Sequence, residues 1–166
     1  MRILLSFFLL GFLFATSSAR ADDASAEANK AVVRHAFAAL EQGDIATLNA
    51  IFDPDGPWHL PSGATIKQGG PFADLRSSCP MCADLAGRKI VIDVILAEGD
   101  LVAVRSTWSG VYTGTWHGMA VAAKPVALVY SNIYRVSGGR IVENWASADS
   151  LALARQIGVT LAPAAK

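Results

Sequence analysis

Cysteine is nearly absent from this sequence: its 166 residues include two, Cys79 and Cys82. Histidine is almost as scarce, and His35, His59 and His117 are scattered. A zinc site would need further Cys or His at ligand spacing, so no metal is expected. There is no phosphate-cradling glycine-rich motif, no nucleophile elbow and no paired-carboxylate signature, and no cofactor is expected either. Basic runs are missing too, which removes nucleic acid from the expected partners. Long apolar runs are limited to one, Ile3 to Ala15. That run falls short of the ~20 residues needed to span a bilayer.

What is present begins with a leader. Arg2 precedes the apolar run, and Ala19-Arg20-Ala21 fits the small-x-small cleavage rule. Residues 1–21 therefore read as a signal peptide cut after Ala21, with export to the periplasm or outside the cell. Residues 22–166 remain as one domain, enough chain for a real core. Their net charge is about −2, because the leader holds two of the 14 basic residues and none of the 14 acidic ones. No other long apolar stretch follows, so no membrane partner is expected after cleavage. In an exported chain the default for Cys79 and Cys82 is a disulfide. The Cys-x-x-Cys spacing also occurs in thiol oxidoreductases, although the surrounding elements lack their βαβ order.

Periodicity places a helix from about Ser25 to Gln42, with Val32, Val33, Ala36, Phe37 and Leu40 inward. Gly43 ends it and Asp44 caps a second helix, Ile45 to Phe52. Trp58-His59-Leu60 reads as a short strand, residues 61–70 as loop, and Pro71 opens a short helix through Arg76. Strands follow at Lys89 to Ala97 and Leu101 to Tyr112, then a Gly- and Ala-rich bend over residues 113–123. Val126 to Val136 and Arg140 to Ala148 form a hairpin across Gly138-Gly139. A short helix then runs from Leu151 to Ile157 and stops at Gly158. Helices first and an antiparallel meander second make the class α+β.

Four stretches, NKAVVRHAFAALEQGDIATLNAIFDPD, WHLP, ILAEGDLVAVRSTWSGVYTGTWHGM and KPVALVYSNIYRVSGGRIVENWASADSLALARQIG, cover nearly all of residues 22–166. Together they resemble the SnoaL-like polyketide cyclases of the nuclear transport factor 2-like superfamily, which also includes ketosteroid isomerase. The resemblance implies a cone-shaped, curved antiparallel sheet, with the N-terminal helices enclosing an apolar pocket. It allows a homodimer that pairs through the open sheet face. Family members often carry His and Asp around the tryptophan of the last strand, where this chain has Asn144 and Ala146. The family's Pro-Pro-Thr-Gly before the lysine is Ala120 to Ala123 here, and the Cys-Pro-Met-Cys loop is not part of the family pattern.

Asp149 matches the position of the cyclase acid/base aspartate. A base that abstracts a proton beside a carbonyl works best in an apolar cavity, where desolvation raises its pKa. An Asp before Ser-Leu at a helix start is equally a cap. His59 matches a family histidine that polarises a carbonyl or moves a proton; it also reads as a hydrogen-bonded strand-edge residue. Trp116 and His117 fall where the family lines its pocket mouth. Alternation puts Val126, Leu128, Tyr130, Asn132 and Tyr134 on one strand face, an expected cavity lining. Glu143, Trp145, Ser147 and Asp149 share a parity, so an inward Asp149 implies an inward Trp145 unless a bulge intervenes.

Three functions remain open from the sequence. One is cofactor-free acid/base catalysis of cyclase or isomerase type on a small apolar, carbonyl-bearing molecule. The second is a non-catalytic binding module for such a molecule, and the third a redox role for Cys79 and Cys82.

Overall fold

The computed structural model describes residues 8–67, 69–116 and 118–160, with side chains from residue 22 onward. The start of the expected leader and His117 lie outside the described residues. The first helix, α1, is Phe8–Gln42. Helical backbone thus continues well ahead of the expected start at Ser25. No proline interrupts this stretch, and alanine, the best helix former, is frequent in it. Among the described residues no helix is long and apolar enough to cross a membrane. Gly43 takes φ +73° at the end of α1. The second helix, α2, spans Ile45–Ile51, and the Asp44 carboxylate accepts from the Thr47 N–H at its start.

A short strand β1, Pro57–His59, pairs with β2, Thr65–Lys67, inside the stretch read as loop. Pro71 does not open the next helix. Instead Asp74 and Ser77 form a capping box at the head of α3, Leu75–Ser78. Cys79 links α3 directly to α4, Pro80–Asp84. The long strands are β3, Leu85–Glu98, and β4, Leu101–Tyr112. A two-stranded hairpin, β5 (Thr115–Trp116) and β6 (Met119–Ala120), occupies the bend. Then come β7, Lys124–Ser137, β8, Arg140–Ala148, and α5, Ser150–Ile157.

The main sheet has the order β2-β1-β8-β7-β4-β3. All neighbours are antiparallel except β1 and β8. Register shifts between Ala86 and Lys89 and between Ile92 and Val94 bend β3, and a third sits on β8. Bulges of this kind increase local twist and curve a sheet. The curved inner face holds the core. Val33, Ala36, Phe37 and Leu40 of α1 recur at helical spacing and pack with Leu48 and Ile51 of α2 against Val102, Leu128, Val136 and Ile141. The outer face stays open, with Val91, Val94, Leu96 and Ile133 exposed. The fold is α+β, as its element order implied.

Candidate functional site

The bulge on β8 decides which residues face the core. Arg135 pairs with Glu143 and Val136 with Ile141, which leaves Val142 without a partner. A plain two-residue Gly-Gly hairpin would have put Glu143, Trp145 and Ser147 on the same face as Tyr134, Asn132 and Tyr130. One extra residue reverses every side chain beyond it. Tyr134 therefore pairs with Asn144 and Asn132 with Ala146, while Trp145 lies opposite Ile133 on the outer face. The bulged backbone is held from the other side: the Asp53 N–H donates to the Ile141 carbonyl at 2.8 Å. A Cβ on Gly56 would come within 2.6 Å of the Val142 carbonyl oxygen, so only glycine fits there.

Behind β7 and β8 lies a cavity of about 150 Å³. Its aromatic and aliphatic wall comes from Leu40, Phe52, Trp58, Leu60, Trp108, Tyr130 and Tyr134. Asn132, Asn144 and Ala146 form its sheet floor, and Ser78, Cys79, Pro80 and Met81 close one side. Trp58, Phe52 and Phe72 pack ring against ring beneath it, with centroids 5.6 to 6.1 Å apart. Trp108 meets Tyr130 at 4.8 Å and donates its indole N–H to Ser106 Oγ at 2.9 Å.

The polar equipment of the cavity is neutral. Asn132 and Asn144 are 8% and 4% exposed, and Asn132 Nδ2 donates to Asn144 Oδ1 at 3.2 Å. Among the described residues neither amide makes a further side-chain hydrogen bond, which leaves the Asn144 N–H groups and the Asn132 carbonyl oxygen available. Burial pushes the Tyr130 phenol up to about 12, with the nearby Tyr112 adding to the shift, and raises Tyr134 further still. Both phenols are thus hydrogen-bonding groups with no charge at physiological pH. Among the described residues, none that lines the cavity is Asp, Glu, His, Lys or Arg.

The expected catalytic pair lies elsewhere. Asp149 is exposed at the head of α5, where its carboxylate accepts from the Ala152 N–H at 2.8 Å. It does not face the cavity; with the bulge it follows the outward parity of Trp145, and the helix start needs an acceptor there. Asp149→Asn should leave the thermal midpoint nearly unchanged, because Asn caps as well as Asp, whereas Asp149→Ala should cost about 1 kcal/mol. Paired thermal melts of the two variants check this.

His59 alternates with Trp58 and so points outward. Its ring stacks on Trp145 at 5.0 Å with a 10° tilt, Nε2 meets Glu143 Oε1 at 2.8 Å, and Nδ1 meets Thr65 Oγ1 at 3.0 Å. Arg135 Nε donates to the other Glu143 oxygen at 3.0 Å and sits over the Trp145 ring at 5.7 Å. His59 and Trp145 are therefore corrected from the pocket to an outer-face network. Trp116, on β5, packs against the edge of the core and is not in the cavity wall. Tyr130 and Asn132 do line it. Cys79 and Cys82 are joined, Sγ to Sγ 2.10 Å.

The hydrogen bond with His59, and secondly the one from Arg135, hold the Glu143 carboxyl below its ordinary value of 4.5. A carboxylate depressed in the folded state stabilises the fold above its unfolded pKa, and that contribution is lost as pH falls through the folded value. The stability gap between wild type and Glu143→Gln should accordingly stay level above about pH 5 and close below it. Urea midpoints measured from pH 7 to pH 3 check the sign.

The curved sheet with helices over its inner face recurs in known structures. The family model described as SnoaL-like polyketide cyclase matches residues 30–157. The chain belongs to this family. No curated protein sequence matches it. Wild-type IdmH from Streptomyces antibioticus is 27% identical over 79% of this chain and 99% of its own, with a TM-score of 0.62. A SnoaL-like polyketide cyclase from Agrobacterium tumefaciens is similar at 16% identity over 78% and 98% of the two chains, TM-score 0.60. An LEH-like epoxide hydrolase from M. tuberculosis shares the fold at 16% identity over 80% and 91%, TM-score 0.59. Asn144 and Ala146, the two departures from the family's last strand, are both in the cavity wall. The two positions where the resemblance leads one to expect His and Asp thus face inward.

Proposed function

We propose that this protein is a binding module, which holds one small, neutral, carbonyl-bearing molecule in the cavity behind β7 and β8. The observation that carries this is the composition of the wall: apolar rings around two amides and two uncharged phenols. Proton abstraction needs a base within reach of its substrate, and among the described residues the wall holds no carboxylate, imidazole or amine. The free Asn144 N–H groups and the phenols are donors, so the ligand must accept; Asn132 Oδ1 takes one donor in return. A cavity of about 150 Å³ matches roughly one six-membered ring. On the same proposal residues 1–21 are removed on export, and two copies pair through the outer sheet face around Val91, Val94, Leu96 and Ile133.

Cyclohexanone carries one ring and one carbonyl, and serves as the probe. Isothermal titration should show a single site, and Asn144→Leu should weaken it about tenfold or more, the cost of a buried carbonyl left without a donor. Mass spectrometry of material extracted from the purified protein should return a neutral small molecule. Failure of cyclohexanone to bind, or binding unaffected by Asn144→Leu, would count against the site. Chemical conversion of a bound ketone by the wild-type protein would overturn its non-catalytic character, and its loss in Asp149→Asn would return the role of base to Asp149.

A further inference from the structure

Cys79 stands in the cavity wall, whereas its partner Cys82 is fully buried in the core. The two sulfurs therefore differ in access. Cys79 also terminates α3 and begins α4: its backbone N–H donates to the Leu75 carbonyl at 2.7 Å, and its carbonyl accepts from Ala83 at 3.1 Å. Helices this short do not hold themselves together, since nucleation alone is unfavourable and packing must supply the rest. The side of the corner that bears Cys82 is anchored, because Arg88 Nη1 donates to the Cys82 carbonyl at 3.3 Å and Leu85 beside it is fully buried. The side that bears Ser78, Cys79, Pro80 and Met81 forms the wall. The sulfur bridge joins the anchored side to the wall.

We propose that the Cys79–Cys82 disulfide is a reducible gate on this cavity: small thiols attack Cys79 from the cavity side, and opening the bond loosens the wall and weakens ligand binding. A thiolate RS⁻ attacks Cys79 Sγ, the Cys79–Cys82 bond breaks, and its electron pair leaves on Cys82 Sγ, which takes up a proton. A second thiolate attacks the outer sulfur of the mixed disulfide, releasing RSSR and leaving the Cys79 thiol. Two thiols are oxidised and one protein disulfide is reduced. Within the close-packed core Cys82 has no space to give. Relaxation falls on Cys79 and its three neighbours, and the preorganisation of the wall is lost. Linkage makes the effect reciprocal: a ligand that prefers the bonded form protects the bond.

The inference rests on the cavity and in part on the proposed ligand class, and the experiment separates the two. Xenon reports an apolar cavity whatever the natural ligand, and cyclohexanone reports the carbonyl site. Both are titrated into the full chain as purified and after reduction with 2-mercaptoethanol, with the Cys79→Ser/Cys82→Ser double variant as a permanently open reference. Reduction should weaken cyclohexanone at least about fivefold and shift the bound-xenon resonance. The double variant should behave like the reduced protein and ignore added thiol. Cyclohexanone at ten times its Kd should slow mixed-disulfide formation, followed by mass spectrometry, about tenfold, because only the empty fraction reacts. Equal cyclohexanone affinity in both redox states, with thiol attack indifferent to occupancy, overturns the gate and leaves the binding site standing. If cyclohexanone binds neither form while xenon still separates them, the gate stands and the ligand class falls. Identical xenon spectra in both states overturn the gate outright.

Discussion

Trp108→Ala is expected to cost about 3–5 kcal/mol of stability, enough to lower the thermal midpoint by roughly 10 °C. Three losses combine at this position. The indole is buried between the Phe37 edge at 6.1 Å and the Tyr130 ring at 4.8 Å, so its removal leaves a void beside one that already exists. Its N–H is the donor to Ser106 Oγ, and Ser106 is fully buried, so the hydroxyl loses its partner. The neighbouring β4 and β7 backbones are locked in an unbroken ladder from Leu101↔Arg135 to Tyr112↔Lys124 and collapse little into the gap. Urea unfolding checks the magnitude, with the midpoint reduced and the slope unchanged. Trp108→Phe keeps most of the ring volume but still orphans Ser106, and it should lose a smaller part. A Trp108→Ala midpoint within 1 °C of wild type would mean that the indole does not stand between α1 and the sheet.

Ala146→Phe is expected to abolish cyclohexanone binding, by two orders of magnitude or more, while the fold survives. Ala146 sits on the cavity floor opposite Asn132, and a phenyl ring added there occupies about the volume of the single ring the cavity accepts. Because the ring enters existing space, the usual overpacking penalty of about 1–3 kcal/mol should be reduced or reversed. The control lies one residue along. Ser147 faces outward and is exposed, so Ser147→Phe should bind cyclohexanone as wild type does. Titration calorimetry and thermal melts on the pair decide it. Normal binding in Ala146→Phe together with loss in Ser147→Phe would place the ligand on the outer face.

The inward face of β7 was legible because alternation needs no knowledge of partners: Val126, Leu128, Asn132 and Tyr134 are all buried. Val126 and Leu128 pack in the core, however, and of that face only Tyr130, Asn132 and Tyr134 line the cavity. The two inner helices were legible from their spacing, and α5 from its cap and its glycine, which takes φ +81° at Gly158. Face assignment on β8 was not. It turns on one unpaired residue, Val142, whose bulge depends on carbonyls drawn toward residues 53–56, far away in sequence. The inward reading of Asp149 carried Trp145 with it, and the bulge that the parity argument left open is what turns both outward. Trp58 and Leu60 escaped notice as lining residues because His59 between them was the more reactive side chain, although a short strand has to turn its neighbours inward when it turns the histidine out. Cys79 was read through its partner alone, and nothing in the spacing of a Cys-x-x-Cys loop says which cavity the first sulfur adjoins.

β1 meets β8 at two register positions, Trp58↔Asn144 and His59↔Trp145, and on its other side it pairs only with the short β2. Yet Trp58 and the following Leu60 form part of the cavity wall. A strand joined to the rest of the sheet by only these two pairs therefore contributes a wall of the site. Segments near a sheet margin with so few ladder bonds open at a small fraction of the global unfolding free energy. On the proposed function, a molecule held in the cavity should then leave at the rate at which this margin opens, a rate governed by the two β1–β8 pairs and the His59–Glu143 contact outside them.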